Sequence, residues 1–387
     1  MIEKSHLEFL AQQLNARRNT VADARQKLNG RQIGADRAPI GNAQIKHVRQ
    51  TVLFDMCRFM LEDNSSAASF ETSLAKKFLA RPPFRRWLEQ ASCLEIYNRI
   101  YIKDARISAL FSRLDAFVES TARDVVGHIS KSAGVRPIVF KGSEIVPEYA
   151  PHPIGSSRDL DLVVLHPHFQ RACEALKEQN WVQGTYEGDL GLVPYAPEII
   201  SRAEEGHYET PPFRKIFELA LSDAERACMA EFTNGTFFRV VEVGPETVKF
   251  VFPVDMHWGY LTNLPADVFQ LKESIFPFAV TLDDSDHLYL MLLRNYYEAV
   301  KAVGKLKNLI VSLLLMERGR VDWARVHYRA TADNREMAIA ANIALLEKIS
   351  PHLAQTADPQ GQFIRHRPDD AGMALFFNSM IGLKESQ

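Results

Sequence analysis

The chain has 387 residues, of which 46% are hydrophobic, so it can bury a large core divided between two or three packed subdomains. Its 46 basic and 48 acidic residues give a formal charge of −2, which supplies no overall attraction to nucleic acid. The four cysteines are scattered and form no CxxC pair, which argues against a zinc site or a disulfide scaffold and favours reduced thiols in the cytoplasm.

The N-terminal region, residues 1–132, is predicted to be mostly helical. The segments VRQTVLFDMCRFMLED and ISALFSRLDAFVESTARDVVGHIS repeat apolar residues at three- and four-residue spacing, which is typical of one buried helix face. The chain starts without a hydrophobic signal core, and no uncharged run is long enough to cross a bilayer. The sequence therefore predicts a cytoplasmic protein without membrane contact.

The central region, residues 133–262, is predicted to be a mixed sheet with helices. RPIVFKGS is a β-branched and aromatic run closed by Gly142, which is typical of a buried strand that ends in a turn. RDLDLVVL predicts a second strand, and HFQRACEALKEQN predicts an amphipathic helix after it. A further helix is predicted near RKIFELALSDAERACMAEF, and TFFRVVEVGPETVKFVFPVDMHWGY predicts two strands around Gly244 and Pro245.

The C-terminal region, residues 263–387, is predicted to be helical. DHLYLMLLRNYYEAVKAVGKLKNLIVSLLLMERG begins with an acidic residue and ends in Arg and Gly, as helix termini prefer, and Gly304 divides it into two helices. The predicted fold class is thus α+β, with a mixed core between two helical regions.

Three aspartates in the predicted strands of the core require an explanation. Asp159 and Asp161 are two residues apart in a strand and project from the same face, and Asp255 ends a later strand. Two like charges ~4 Å apart repel by about 4 kcal/mol at an effective dielectric of ~20. A metal ion, a basic side chain or water must separate them. Mg²⁺, or Mn²⁺ in its place, prefers carboxylate oxygens and keeps other positions for water and phosphate. The alternatives are solvated acids on an exposed edge strand and, for Asp255, a turn cap.

The segment Lys141–Ser143 is a candidate phosphate site. A glycine at a strand end allows backbone N–H groups to approach a phosphate closely, and the Ser143 hydroxyl can add a hydrogen bond. Lys141 either contacts the phosphate or is simply exposed at the end of the strand. An ordinary strand-to-helix turn at Gly142 is the alternative.

The order of KGS, DLDLVV and DMHW resembles the nucleotidyltransferase superfamily with the polymerase-beta-like fold, in particular its uncharacterised bacterial branch. The resemblance covers about Val135 to Tyr260 and continues more weakly to RVDWARV. In two places the chain departs from the pattern of the branch. Gly155 stands where the branch usually has arginine, with Arg158 directly before Asp159, and Arg294, Asn295 and Tyr296 replace its C-terminal histidines.

The resemblance implies roles for nine residues. Asp159, Asp161 and Asp255 would be the catalytic acids and would hold two Mg²⁺ ions. The residues that would bind the nucleotide are Lys141, Gly142, Ser143 and Arg158. His207 and His257 would be substrate contacts, although packing or hydrogen bonding in the core is the alternative for each.

Two functions from different classes follow. The first is a Mg²⁺-dependent enzyme that transfers a nucleoside monophosphate from an NTP to a hydroxyl, phosphate or carboxylate acceptor and releases pyrophosphate. The near-neutral charge favours a small molecule, peptide or protein as acceptor over an RNA end. The alternative is a non-catalytic nucleotide-binding or regulatory protein with the same fold. The presence of Asp255 favours the enzyme, and the lack of an HD pair disfavours a phosphohydrolase.

Overall fold

The computed structural model describes residues 42–61, 68–69, 71–90, 93–149, 154, 159–232, 240–260, 264, 268–301 and 306–380. These residues form helices and one mixed β-sheet, which confirms the predicted α+β class. No helix among them is long and apolar enough to span a membrane. Residues 1–41 of the predicted N-terminal helical region lie outside the described part of the chain.

Helices precede the first strand and follow the last one. The helices before the sheet are α1 (Asn42–Leu61), α2 (Thr72–Leu79), α3 (Pro82–Gln90), α4 (Leu94–Tyr97), which continues into a π-helical turn (Asn98–Ile102), and α5 (Ala105–Ala133). Those within the sheet region are α6 (Gly142–Glu148), α7 (Phe169–Glu178), α8 (Pro197–Glu204) and α9 (Asp223–Phe232). Those after it are α10 (Asp284–Val300), α11 (Leu306–Arg318), α12 (Trp323–Ala332), α13 (Glu336–Ile349), α14 (Pro351–Ala357) and α15 (Asp370–Met380).

The strands are β1 (Ile138–Val139), β2 (Leu160–Val163), β3 (Val182–Tyr186), β4 (Leu192–Pro194), β5 (Phe213–Ala220), β6 (Val240–Val243), β7 (Thr247–His257), β8 (Leu271–Glu273) and β9 (Val280–Leu282). Their order across the sheet is β4-β3-β5-β7-β2-β1-β9-β8, and β6 pairs with β7 off this path. β2 runs parallel to β7 and β1 runs parallel to β9, and the other pairs are antiparallel.

The two faces of the sheet pack against different helices. Alternate residues of β2 and β7, such as Leu160 and Val254, join the inner faces of α5 and α7 in one hydrophobic core. The opposite face contributes Val163 and Phe140 to a larger core with α10, α11 and α13. Because successive side chains of a strand point to opposite faces of the sheet, one apolar layer lies on each face. Asp161 lies on the face that points to the C-terminal helices.

The sequence prediction was wrong for the first part of RKIFELALSDAERACMAEF. Phe213–Ala220 is the strand β5, and only Asp223–Phe232 is a helix. β5 pairs with β7 over eight successive residues, from Phe213 opposite Val254 to Ala220 opposite Thr247. This long-range pairing outweighs the local preference, because strand formation depends on the neighbours that a segment finds in the fold.

Two further features concern predicted boundaries. β8 and β9 follow residue 262 in the chain but belong to the sheet, because Val280 of β9 lies opposite Ile138 of β1. α10 ends at Val300 and α11 begins at Leu306, on either side of Gly304, which itself lies outside the described residues. All four cysteines are buried and free.

Glu144, in the first turn of α6, fastens this helix to the segment between β8 and β9. Its carboxylate accepts hydrogen bonds from the Ser274 hydroxyl (2.7 Å) and the Ile275 N–H (2.9 Å), and the side chain is fully buried. Burial raises the pKa of Glu144 from 4.5 to about 7, although these two hydrogen bonds oppose the change.

Replacing Glu144 with Gln is expected to stabilise the protein at alkaline pH. The raised pKa of Glu144 in the folded state stabilises the fold fully below pH 4.5, and this contribution, about 3 kcal/mol, is lost as pH rises to about 7. Gln mimics the protonated acid, because its amide N–H can donate to Ser274 Oγ.

The measurement is the free energy of urea unfolding of both proteins at pH 4.5 and pH 8. The variant should match the wild type at pH 4.5 and exceed it at pH 8. Glu174→Gln, on the exposed side of α7, is the matched control and should change neither value. A Glu144→Gln variant that is less stable than the wild type at both pH values would contradict the prediction.

Candidate functional site

The candidate site begins at the turn from β1 to α6, where Lys141 adopts an unusual backbone conformation. Its φ of 60° and ψ of −146° lie in a region that residues other than glycine rarely occupy. The Lys141 N–H donates a hydrogen bond to Nε2 of His287, in the first turns of α10 (2.7 Å). The turn is therefore attached directly to the C-terminal helical region.

Strand register brings two of the three predicted acids together. Asp161 of β2 lies opposite Asp255 of the parallel strand β7, and Val163 lies opposite His257. Parallel strands are about 4.8 Å apart, and residues in register project from the same face. Asp161 and Asp255 are thus neighbours on the face that packs towards α10, with His257 two residues beyond Asp255.

Basic side chains surround the Asp161 carboxylate, which is nearly fully buried. Lys141 Nζ lies 2.5 Å from Oδ1 of Asp161, and the two side chains are only 12% and 7% exposed. Nε2 of His257 lies 3.4 Å from the same oxygen. Burial alone would raise the pKa of Asp161, but Lys141, His257 and the more distant Arg294 together hold it well below its usual range. The sequence left open whether a metal ion, a basic side chain or water lies beside these acids. At Asp161 the structure shows a basic side chain, that of Lys141.

Glu209 is a site residue that the sequence did not predict. It lies after α8, forms an isolated antiparallel bridge with His257, and places Oε2 3.1 Å from His257 Nδ1. Burial alone would raise the pKa of Glu209, but His257, Lys141 and Arg294 lower it to about 2. The imidazole of His257 thus lies between the carboxylates of Asp161 and Glu209, and the Glu209 side chain is 43% exposed towards solvent.

Aromatic rings fix the position of His257, which is fully buried. Phe140 packs edge-on against the imidazole at 5.2 Å between ring centres, and Tyr208 stacks on it at 5.7 Å. The Lys141 ammonium also lies 4.5 Å from the centre of the Phe140 ring. These contacts leave the imidazole little freedom to turn away from the two carboxylates.

Arg294 of α10 is the second cation at the site. It forms an ion pair with Glu298 one turn later (2.7 Å). Although burial opposes it, the charges of Glu298, Asp161 and Glu209 raise the pKa of Arg294. Its charge in turn helps to lower the pKa values of Asp161 and Glu209, so Arg294 lies within electrostatic range of both acids.

Ser143 has a structural role in this arrangement. Its hydroxyl donates to the carbonyl of Asp159 (2.9 Å) and accepts from the N–H of Asp161 (3.2 Å), so it joins α6 to the start of β2. A cavity of about 20 Å³, room for a single water molecule, lies beside Ser143 and Asp159 and is also lined by Leu160 and Phe252. The phosphate role of Ser143 stays a prediction, and a phosphate would have to compete with these two hydrogen bonds.

The remaining predicted residues lie in different places. Gly142 is buried at the start of α6. Asp159 is half-buried immediately before β2, and His207 is half-buried two residues before Glu209. Arg158 lies outside the described residues. The structure thus gathers Lys141, Asp161, Asp255 and His257, and it adds three residues that sequence reasoning missed, namely Glu209, His287 and Arg294.

The donor set can be compared with what Mg²⁺ requires. Asp161 and Asp255 supply hard carboxylate oxygens on adjacent strands, which fits two ligand positions, and Asp159 lies immediately before β2. Across the part of the chain that the structure describes, no three His, Cys, Asp or Glu side chains are grouped so that they could hold a metal ion. These residues therefore supply two adjacent carboxylates, but not a complete set of protein ligands for a metal ion.

Comparison with known proteins identified no relative of this chain. No family model matches the chain, and neither a curated protein nor a solved structure shows significant similarity to it.

Proposed function

We propose that the chain is a nucleotidyltransferase with a polymerase-beta-like core, which transfers a nucleoside monophosphate from a nucleoside triphosphate to an acceptor. The observation that carries this proposal is the register of β2 and β7, which places Asp161 and Asp255 side by side next to the ammonium of Lys141. The strand–turn–helix of Lys141–Ser143 precedes these acids in the chain, as in the family that the sequence resembles.

In the proposed reaction an acceptor oxygen bonds to the α-phosphorus as the bond to the pyrophosphate oxygen breaks. A hydroxyl acceptor also passes its proton to water, whereas an ionised phosphate or carboxylate acceptor has no proton to lose. Lys141 and Arg294 supply positive charge for the phosphate oxygens, and His257 keeps the Asp161 carboxylate in place. Asp161 and Asp255 would hold Mg²⁺. A bound Mg²⁺ supplies charge neutralisation for the triphosphate and the leaving pyrophosphate.

The charge of the site bears on the acceptor. Asp159, Asp161, Asp255 and Glu209 outnumber Lys141 and Arg294, and the chain as a whole carries a charge of −2. An RNA end would bring further phosphates close to these carboxylates. We therefore favour a small molecule, a peptide or a protein as the acceptor, bound through a hydroxyl, phosphate or carboxylate group.

A non-catalytic nucleotide-binding or regulatory protein is the second candidate. The observations that favour it are the engaged hydroxyl of Ser143 and the buried ion pair of Lys141 with Asp161, because both groups already have partners within the chain. Such a protein would bind nucleotide without releasing pyrophosphate.

The test is label transfer from each NTP, labelled at the α-phosphate, to components of a cell extract in the presence of Mg²⁺, with release of pyrophosphate measured in parallel. The wild type should transfer label, and a variant with Asp159→Ala and Asp161→Ala should not. Asp189→Asn, at an exposed acid after β3, is the matched control and should behave like the wild type. Equal behaviour of the wild type and the double variant with every NTP would refute the enzyme. Mass spectrometry of the labelled product would identify the acceptor.

A further inference from the structure

The backbone conformation of Lys141 requires an explanation of its own. The region near φ 60° and ψ −146° is occupied almost only by glycine, because a Cβ atom there meets the neighbouring backbone. The next residue in the chain is a glycine, Gly142, yet the strained position carries a lysine. A turn with only a structural role would be more stable with glycine at position 141, so the lysine side chain has a use that outweighs the strain.

Contacts from two other elements hold this conformation. The Lys141 N–H donates to His287 Nε2, 146 residues later in the chain, and the Lys141 ammonium pairs with Asp161 of β2. The hydrogen bond fixes the direction of the N–H and the ion pair fixes the end of the side chain. His287 therefore holds the N–H side of Lys141, while the Lys141 carbonyl accepts hydrogen bonds from the N–H groups of Glu144 (3.3 Å) and Ile145 (3.0 Å) in α6.

His287 is suited to accept this hydrogen bond. It is 1% exposed on the side of α10 that faces the sheet, and burial lowers its pKa to about 3. The ring is therefore neutral near pH 7, and Nε2 keeps a lone pair for the Lys141 N–H. Arg294, two turns further along α10, helps to lower the pKa values of Asp161 and Glu209, so the same helix that holds Lys141 also brings a second positive charge within electrostatic range of these carboxylates.

We propose that His287 is a positioning residue, which holds Lys141 in its strained conformation so that the ammonium lies at Asp161, where the phosphates of an NTP would bind. The part played by the phosphates rests on the proposed nucleotidyltransferase function. The control that His287 exerts over the Lys141 side chain does not depend on that function.

The test measures the accessibility of the Lys141 amine by reductive methylation, followed by mass spectrometry of the peptides. The exposed Lys177 of α7 serves as the internal reference. In the wild type Lys141 should react much more slowly than Lys177, because its side chain is 12% exposed and ion-paired. In His287→Leu, which removes the acceptor at similar size, Lys141 should react about tenfold faster, the population change expected when one buried hydrogen bond is lost.

Two further variants separate positioning from general loosening of the fold. His287→Gln keeps an acceptor atom at a similar reach and should restore the slow reaction of Lys141. Leu292→Ala, at a buried position of the same helix, should lower the melting temperature but leave the ratio of Lys141 to Lys177 labelling unchanged. An unchanged ratio in His287→Leu, or an equal rise in Leu292→Ala, would overturn the proposal.

The outcome for His287 can be separated from the outcome for the enzyme. A shift in labelling with no nucleotidyl transfer by any variant would leave the positioning role standing and refute the proposed function. Nucleotidyl transfer by the wild type, with no change of Lys141 labelling in His287→Leu, would support the proposed function and refute the positioning role of His287. If both hold, His287→Leu should raise the KM for the NTP and His287→Gln should restore it.

Discussion

Asp255→Asn is expected to reduce the proposed nucleotidyl transfer by about 10³-fold, the size of effect that follows when one preorganised electrostatic group is removed from an active site. The same substitution should leave the fold slightly more stable, by about 0.5 kcal/mol. Asp255 lies in register with Asp161, and like charges opposite each other on neighbouring strands destabilise a sheet. Loss of activity with a gain in stability indicates a residue that is kept for function.

The transfer rate is measured with the acceptor identified by the labelling experiment, and stability is measured by urea unfolding at pH 7.5. Asp189→Asn changes the same chemical group on the surface, and both quantities should remain at their wild-type values. A transfer rate in Asp255→Asn within a few-fold of the wild type would remove Asp255 from the site. A large fall in stability would instead give it a structural role.

Lys141→Met is expected to lower the free energy of unfolding by about 3 kcal/mol, because it leaves the buried Asp161 carboxylate without its closest positive partner. Methionine has a similar length and the same backbone preferences, so the strain at position 141 is present in both proteins. Asp255, in register with Asp161, adds repulsion once the ammonium is gone.

A double-mutant cycle isolates this pair. Asp161→Asn in the Lys141→Met background removes the unpaired charge, so the double variant should lose at least about 1 kcal/mol less than the sum of the two single variants. Chemical unfolding followed by circular dichroism supplies all four free energies. Additive losses would show that the two side chains do not interact in the folded protein.

Much of the local structure could be predicted from the sequence. β1 and β2 coincide with RPIVFKGS and RDLDLVVL, and α7 with HFQRACEALKEQN. These segments carry their own pattern, with buried strands marked by β-branched runs and helices by apolar spacing. The prediction for β5 was wrong because the apolar residues of IFELA fit a helix or a strand equally. Only the pairing of this segment with β7 decides between the two structures.

The site was predicted less completely, for a related reason. Lys141, Asp161 and Asp255 each lie within two residues of the end of a strand, where motifs and spacing can identify them. Glu209 lies in a connection with no pattern of its own, and His287 and Arg294 lie in a helix whose direction towards the sheet depends on tertiary packing. The sequence could not predict which positively charged group lies beside Asp161, because strand register and side-chain direction are properties of the assembled sheet.

The position of β9 has a consequence for the order in which the chain can fold as it is synthesised. β1 lies between β2 and β9, and its pairing with β9 begins only at Val280, about 140 residues after β1 has been made. Until then, one side of β1 presents unpaired backbone groups, and such an edge can pair with other chains. The ribosome must therefore complete residues beyond Asp161 and Asp255 before the sheet that carries them can close.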